Sequence, residues 1–270
     1  SVWQHNQLMM LARYATSDEM RWAAPPIQDE DFANSQRSSH LKVQVEALLA
    51  RARIRALAGQ TDSALQDLED AAPMIARLEA DWAREYFSAD MRLSRAIARA
   101  ETDLAGSAAT LDSVIAFVSG ENSVLRLSAL MWRADVRLSA GNLAGGAADL
   151  DTATVLIREL SRQEKSADKR AAMIEQARSH FDRLVMLHVR AKRPVEALRV
   201  LERGRVSFAS AADARAPATI GRLAAPPGEV AVEYALIGDT LLPWTVRDTI
   251  VRLSQRTVDR NEFFLTIEQV

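Results

Sequence analysis

The chain has 270 residues, 48% of them apolar, with 34 Lys and Arg against 36 Asp and Glu for a formal net charge of -2. That length gives one large domain or two ordinary ones with a real core, and the charge offers no bulk attraction to phosphate backbones or anionic membranes. The absence of cysteine excludes disulfides, a thiolate nucleophile and Cys-ligated zinc within these residues, and it fits a reducing, cytoplasmic setting.

The opening stretch, SVWQHNQLMMLARYA, already reads as helix, so Ser1 is expected to begin a fragment. No apolar run approaches membrane-spanning length, and no signal peptide is visible. From residue 41 the sequence repeats itself. Ala47, Leu48, Arg51, Ala52, Arg55, Gly59, Asp67, Leu68 and Ala71 recur 82 residues later as Ala129, Leu130, Arg133, Ala134, Arg137, Gly141, Asp149, Leu150 and Ala153. Between them lies DLAGSAATLDSVI (103–115), close to NLAGGAADLDTAT (142–154). A period near forty residues predicts stacked two-helix units, each a helix, a short turn and a second helix. Small residues stand where paired helices approach: Ala52 and Ala134 on the first, Ala64 and Ala147 on the second. Gly145–Gly146 reads as a tight turn that permits close packing. A fourth unit is predicted over 189–206, with its turn at Lys192–Pro194.

Arg51, Arg55, Arg133 and Arg137 are the candidate site residues. One reading makes them a basic ladder for an acidic partner segment. The other pairs Arg55 with Asp67 and Arg137 with Asp149 across each hairpin, which accounts for both members recurring together. His180 and His188 lie two turns apart on one helix, too far for shared zinc ligation, and are expected to pack. His5 and His40 have no ligand pattern around them. There is no HExxH, P-loop or GxSxG motif, so no cofactor or metal is expected.

The small residue Ala52, the turn Gly59, then Ala64, Leu68 and Ala71, and above all PVEALRVLERG (194–204), resemble the tetratricopeptide (TPR) family over roughly residues 41–210. The spacing exceeds the usual length of that repeat, which implies longer helices or looser turns. The resemblance implies an α-solenoid that binds a protein or peptide partner on its inner surface.

After Phe208 the chain turns Ala- and Pro-rich, a predicted linker over 211–228. Three β segments follow. EVAVEYALI alternates around Val230, Val232, Tyr234 and Leu236, TLLPWTV returns after a Gly238–Asp239 turn, and TIVRLSQ follows a turn at Arg247–Asp248. This predicts an antiparallel meander. Pro243 predicts an edge or a bulge. Thr257 is expected to cap a last helix carrying Val258, Phe263, Phe264, Ile267 and Val270. Three strands and one helix make a poor independent core, so a downstream segment or a second polypeptide is expected to complete the β unit.

The helix ending ALRVLERGRVSFAS, the linker, and strands carrying Glu233, Tyr234, Gly238 and Asp239 resemble the entrance to a CHAT domain, a caspase-like peptidase domain related to separase and commonly preceded by TPR units. The expected fold is thus mostly α: a TPR-like array over 1–210, the linker 211–228, then over 229–270 a small antiparallel meander plus helix that begins a caspase-like α/β domain. The resemblance implies a bacterial sensor and docking region for a protease whose catalytic His and Cys lie outside this chain, so no catalytic residue is assigned here. The alternative is a non-enzymatic TPR adaptor. Neither nucleic acid nor membrane is an expected partner.

Overall fold

The computed structural model describes residues 32–118, 123–163, 165–208 and 228–259. The helix expected over 1–15, with His5, lies outside the described residues, as do most of the 211–228 linker and the last helix from residue 260 onward. The chain divides into two compact units, Ser1–Ala177 and Arg178–Val270. The fold is mostly helical, with a small antiparallel sheet after the helices.

In the first unit, α1 (Leu41–Leu57) and α2 (Thr61–Ala76) form one hairpin, α3 (Asp81–Arg99) and α4 (Leu104–Phe117) a second, and α5 (Ser123–Ser139) and α6 (Leu143–Gln163) a third. Each helix touches the next, and the first helices α1, α3 and α5 also touch in sequence. The apolar periodicity dictates this. On α2, Ala64, Leu68, Ala71 and Ile75 fall on one face and are buried. One core joins Val45, Leu48 and Leu49 of α1 to Leu68 and Ile75 of α2 and to Ala83 and Phe87 of α3. A second joins Leu93 and Ile97 of α3, Leu111 and Val114 of α4, and Leu125 and Ala129 of α5. Each core thus includes residues from the following hairpin, so no hairpin buries its apolar face alone.

The repeated phrase DLAG/NLAG is a helix start. Asp103 accepts from Gly106 N at 2.8 Å and Asn142 from Gly145 N at 2.9 Å, satisfying a first-turn donor that has no partner inside the helix. Glycine leaves room for the cap there, since a Cβ on Gly106 would push the Asp103 carboxylate out of the position from which it accepts. The next position is the close approach between paired helices. A Cβ on Gly146 would fall 2.4 Å from Leu138 and 3.3 Å from the Ala134 carbonyl. The position equivalent to Ala64 is therefore Gly146, and the expected Ala147 is only half-buried, one residue further on. Gly145 and Gly146 lie inside α6 rather than in the turn before it.

The second unit contains the end of α7 (Ala167–Arg190), then α8 (Pro194–Phe208) and the sheet: β1 (Val230–Ile237), β2 (Thr240–Arg247), β3 (Ile250–Leu253) and β4 (Arg256–Thr257). The three-stranded meander expected from sequence is present, with β2 central. Pro243 sits neither at an edge nor at a bulge. Thr240 pairs with Thr257 and Trp244 with Leu253 in a single frame, so β3 and β4 are one strand interrupted opposite Leu242 and Pro243. The Pro243 carbonyl accepts from Ser254 N at 3.1 Å. A residue's N–H and C=O point to the same side of a strand, so the donor that proline lacks would have faced this gap. Thr257 lies in β4, and residues 258–259 are not helical, so it does not cap a helix starting at Val258.

The sheet is one-sided in a way the alternation reverses on β1. Ala235, Leu242, Trp244 and Val246 are buried, whereas the expected apolar set is turned out, with Val230, Val232 and Tyr234 exposed. Cross-strand pairing sets this: Ala235 faces Leu242 and Glu233 faces Trp244, so the bulky buried residues of β2 choose the face.

Candidate functional site

The four candidate arginines converge on two aspartates. In the first hairpin Arg51 grips Asp67 with two bonds, Nε to Oδ2 at 3.0 Å and Nη2 to Oδ1 at 2.6 Å, and Arg55 Nη1 reaches Oδ1 at 2.8 Å. In the third hairpin Arg133 grips Asp149 at 3.0 and 2.5 Å, and Arg137 Nη1 reaches it at 2.9 Å. Helix geometry makes this possible. Arg51 and Arg55 stand six and two residues before the end of α1, as Arg133 and Arg137 do before the end of α5, and the aspartates each lie six residues after the start of the following helix. Two-point Arg–carboxylate contacts are directional and roughly twice as strong as neutral hydrogen bonds.

Each clamp also reaches toward the preceding chain. Arg133 Nη1 donates to Asp112 of α4 at 2.5 Å, and Arg137 lies 3.5 Å from the same carboxylate. In the first hairpin the corresponding surface of Arg51 is covered by the Phe32 ring, 3.3 Å from the guanidinium carbon. Burial alone would lower the Arg133 pKa, but its bonds to Asp149 and Asp112 and their charges outweigh that and raise it above the ordinary value. The aspartates are almost fully buried, at 1% and 4% side-chain exposure, and the arginine side chains are 14–27% exposed. These guanidinium groups are therefore engaged within the helical scaffold, with little surface to offer an acidic segment.

The same register exposes what the other hairpins do. In the second, Leu93 and Ile97 stand six and two residues before the end of α3, and Thr110 takes the aspartate place. In the fourth, Leu184 and His188 stand before the end of α7, and Val200 takes the aspartate place. The 82-residue echo is thus a two-hairpin period in which a charged unit alternates with an uncharged one. The linking turns partly follow it: Gly59 and Gly141 have φ +75 and +78, and Lys192 takes the same place with φ 54. A left-handed residue at the end of the first helix lets its last carbonyls be satisfied.

A second polar link that sequence reasoning missed ties α1 to α3. Arg53, 5% exposed, donates through Nη2 to Asp90 and through Nε to Ser94 at 2.9 Å. No short-range pattern marks it, because its partners lie 37 and 41 residues away.

His180 and His188 are both buried. His188 Nδ1 has no hydrogen-bond partner, and the residue at the aspartate place, Val200, carries no carboxylate. Burial pushes its pKa down, opposed by Glu196 and reinforced by Arg193 and Arg203. Beside it, the Pro194 carbonyl accepts from Trp244 Nε1 at 3.1 Å, joining the start of α8 to the buried centre of the sheet. At the other end of α8, Arg205 donates to Glu202 at 2.9 Å, to Glu233 at 2.8 Å and to the Tyr234 carbonyl.

Comparison with protein-family models, curated proteins and solved structures gave no match. Among the described residues no group of three or more His, Cys, Asp or Glu is placed to hold a metal ion, and no helix is long and apolar enough to cross a membrane.

Proposed function

We propose that this chain is the TPR-like sensor and docking region of a CHAT-type, caspase-like protease, with the helical array binding a protein or peptide partner and regulating a protease module whose catalytic His and Cys lie outside these residues. What supports the reading most is the joint in the second unit. A repeat-type helix, α8, is fastened at both ends to the first strands of an antiparallel sheet, through Pro194–Trp244 and through Arg205 to Glu233 and Tyr234. A binding event that shifts α8 would be felt in the sheet, because the bonds that would break are made directly to β1 and β2. This is a two-state coupling of the kind that regulates modules by differential binding.

The test is to express the complete open reading frame and assay hydrolysis of a peptide library with and without candidate partners. The expected result is activity that requires a Cys and a His encoded outside these 270 residues and that changes when Arg205 is replaced by Ala. An open reading frame encoding no such pair overturns the protease reading.

A further inference from the structure

We propose that β1 is a self-pairing strand: two copies of this chain associate by antiparallel β1–β1 pairing centred on Val232, extending each sheet across a two-fold axis. This pairing is independent of the protease reading, since it rests on the sheet register and the exposed residues of β1.

Pro243 fixes which way the backbone of β1 faces. Its carbonyl is directed at the third strand, where Ser254 N donates to it. In an antiparallel ladder, residues directly opposite each other either exchange both hydrogen bonds or point them both away. Tyr234 is opposite Pro243, so the Tyr234 N–H and C=O point away from β2, toward the outer edge of β1. The contact from Arg205 to the Tyr234 carbonyl agrees with that direction. Positions two apart share a side, so Val232 and Val230 also present their backbone groups at this edge, which no described strand pairs.

The same three residues carry the apolar side chains that the sheet leaves out, Val230 at 54%, Val232 at 43% and Tyr234 at 57% exposure. An edge that no described strand pairs, with Val230, Val232 and Tyr234 presenting both backbone groups and exposed apolar side chains, forms a template for another strand. The occupant that fits is the strand itself. About Val232, an antiparallel copy sets Val230 against Tyr234 and Val232 against Val232, so every exposed apolar side chain meets another. Arg205, already paired with Glu202 and Glu233, guards the edge by holding the Tyr234 carbonyl, and it releases that carbonyl when the incoming Val230 N–H takes it.

The chain contains no cysteine, which makes one introduced cysteine a clean reporter. Opposed residues in such a pair have Cα atoms about 5.5 Å apart, within the range a disulfide spans. Under mild oxidation Val232→Cys is expected to form disulfide dimers at least about tenfold faster than Trp82→Cys, since pairing raises the local thiol concentration far above bulk. Trp82 is a fair control because it is 62% exposed and lies in the helical unit. Sedimentation of the unmodified chain should show a mass that rises toward twice the monomer with concentration. Val232→Pro should abolish that rise with the far-UV circular dichroism and the urea midpoint unchanged, because the Val232 N–H serves no bond within its own sheet. A single monomer mass at all concentrations, with Val232→Cys cross-linking no faster than Trp82→Cys, overturns the proposal.

Discussion

Arg133 donates to Asp112 at 2.5 Å across the boundary between two hairpins while the same guanidinium holds Asp149 within its own. One side chain thus sets both the pairing of α5 with α6 and the seating of α5 on α4. The two partners are not equivalent, since Asp149 is 4% exposed and Asp112 is 53% exposed. Replacing Asp149 by Asn leaves two half-buried arginines without their shared anion and is expected to cost about 3 kcal/mol. Asp112→Ala removes a solvent-screened contact and should cost less than about 1 kcal/mol. Urea unfolding followed by far-UV circular dichroism measures both.

The capped starts of α4 and α6 give a sign test. Gly to Ala inside a helix ordinarily gains about 1 kcal/mol. Gly106→Ala is expected to lose that gain, because its Cβ would displace the Asp103 carboxylate from the bond it makes. Asp103→Ala should cost about 1 kcal/mol, and the double variant should recover the helix-propensity gain relative to Asp103→Ala. Thermal unfolding temperatures decide the order.

The linking turns differ in how well their residues suit a positive φ. Gly141→Ala should cost about 1 kcal/mol, because it places a Cβ at φ +78. Lys192 holds φ 54, so Lys192→Gly should raise stability by up to about 1 kcal/mol, the strain relieved being set against a more flexible unfolded chain. Chemical denaturation of both variants would show opposite shifts in midpoint.

His188 should make the second unit acid-sensitive. Its folded-state pKa is held down by burial, so as pH falls the unfolded chain takes up the proton first. Stability from this residue is therefore fully present above the usual imidazole value of about 6.5 and is lost as pH drops below it. His188→Phe should flatten that part of the pH–stability curve. Val200→Asp places a carboxylate at the position Asp67 and Asp149 occupy in the clamped hairpins, and the His188 titration, followed by NMR, should move upward.

The repeat was legible because it is written in small residues, arginines and aspartates whose spacing follows helix geometry. Arg55 with Asp67 and Arg137 with Asp149 were readable as pairs, since hairpin partners recur together. Arg51 and Arg133 joining the same carboxylates was less so, because nothing in one sequence says that an aspartate receives two cations. On β1 the alternation of Val230, Val232, Tyr234 and Leu236 marks a strand but not which face goes inside: Ala235, opposite the buried Leu242, is buried, and Val230, Val232 and Tyr234 are exposed. Pro243 was misplaced for a related reason. A proline is tolerated in a central strand when its missing donor coincides with a break in the neighbouring ladder, and that break depends on the third strand. Arg53 with Asp90 depends on how consecutive hairpins stack, which local pattern does not encode.

The central claim is that the arginine–aspartate clamps are scaffold, occupying positions that Leu93, Ile97 and Thr110 fill in the second hairpin. The most direct measurement is the unfolding free energy of the triple variant Arg51→Leu, Arg55→Ile, Asp67→Thr beside that of Asp67→Thr alone. The single variant should lose about 3 kcal/mol, since it strands two partly buried cations, and the triple variant should return to within about 1 kcal/mol of the original chain or exceed it. A triple variant less stable than the single one would contradict the shared register and the structural role of the clamps together.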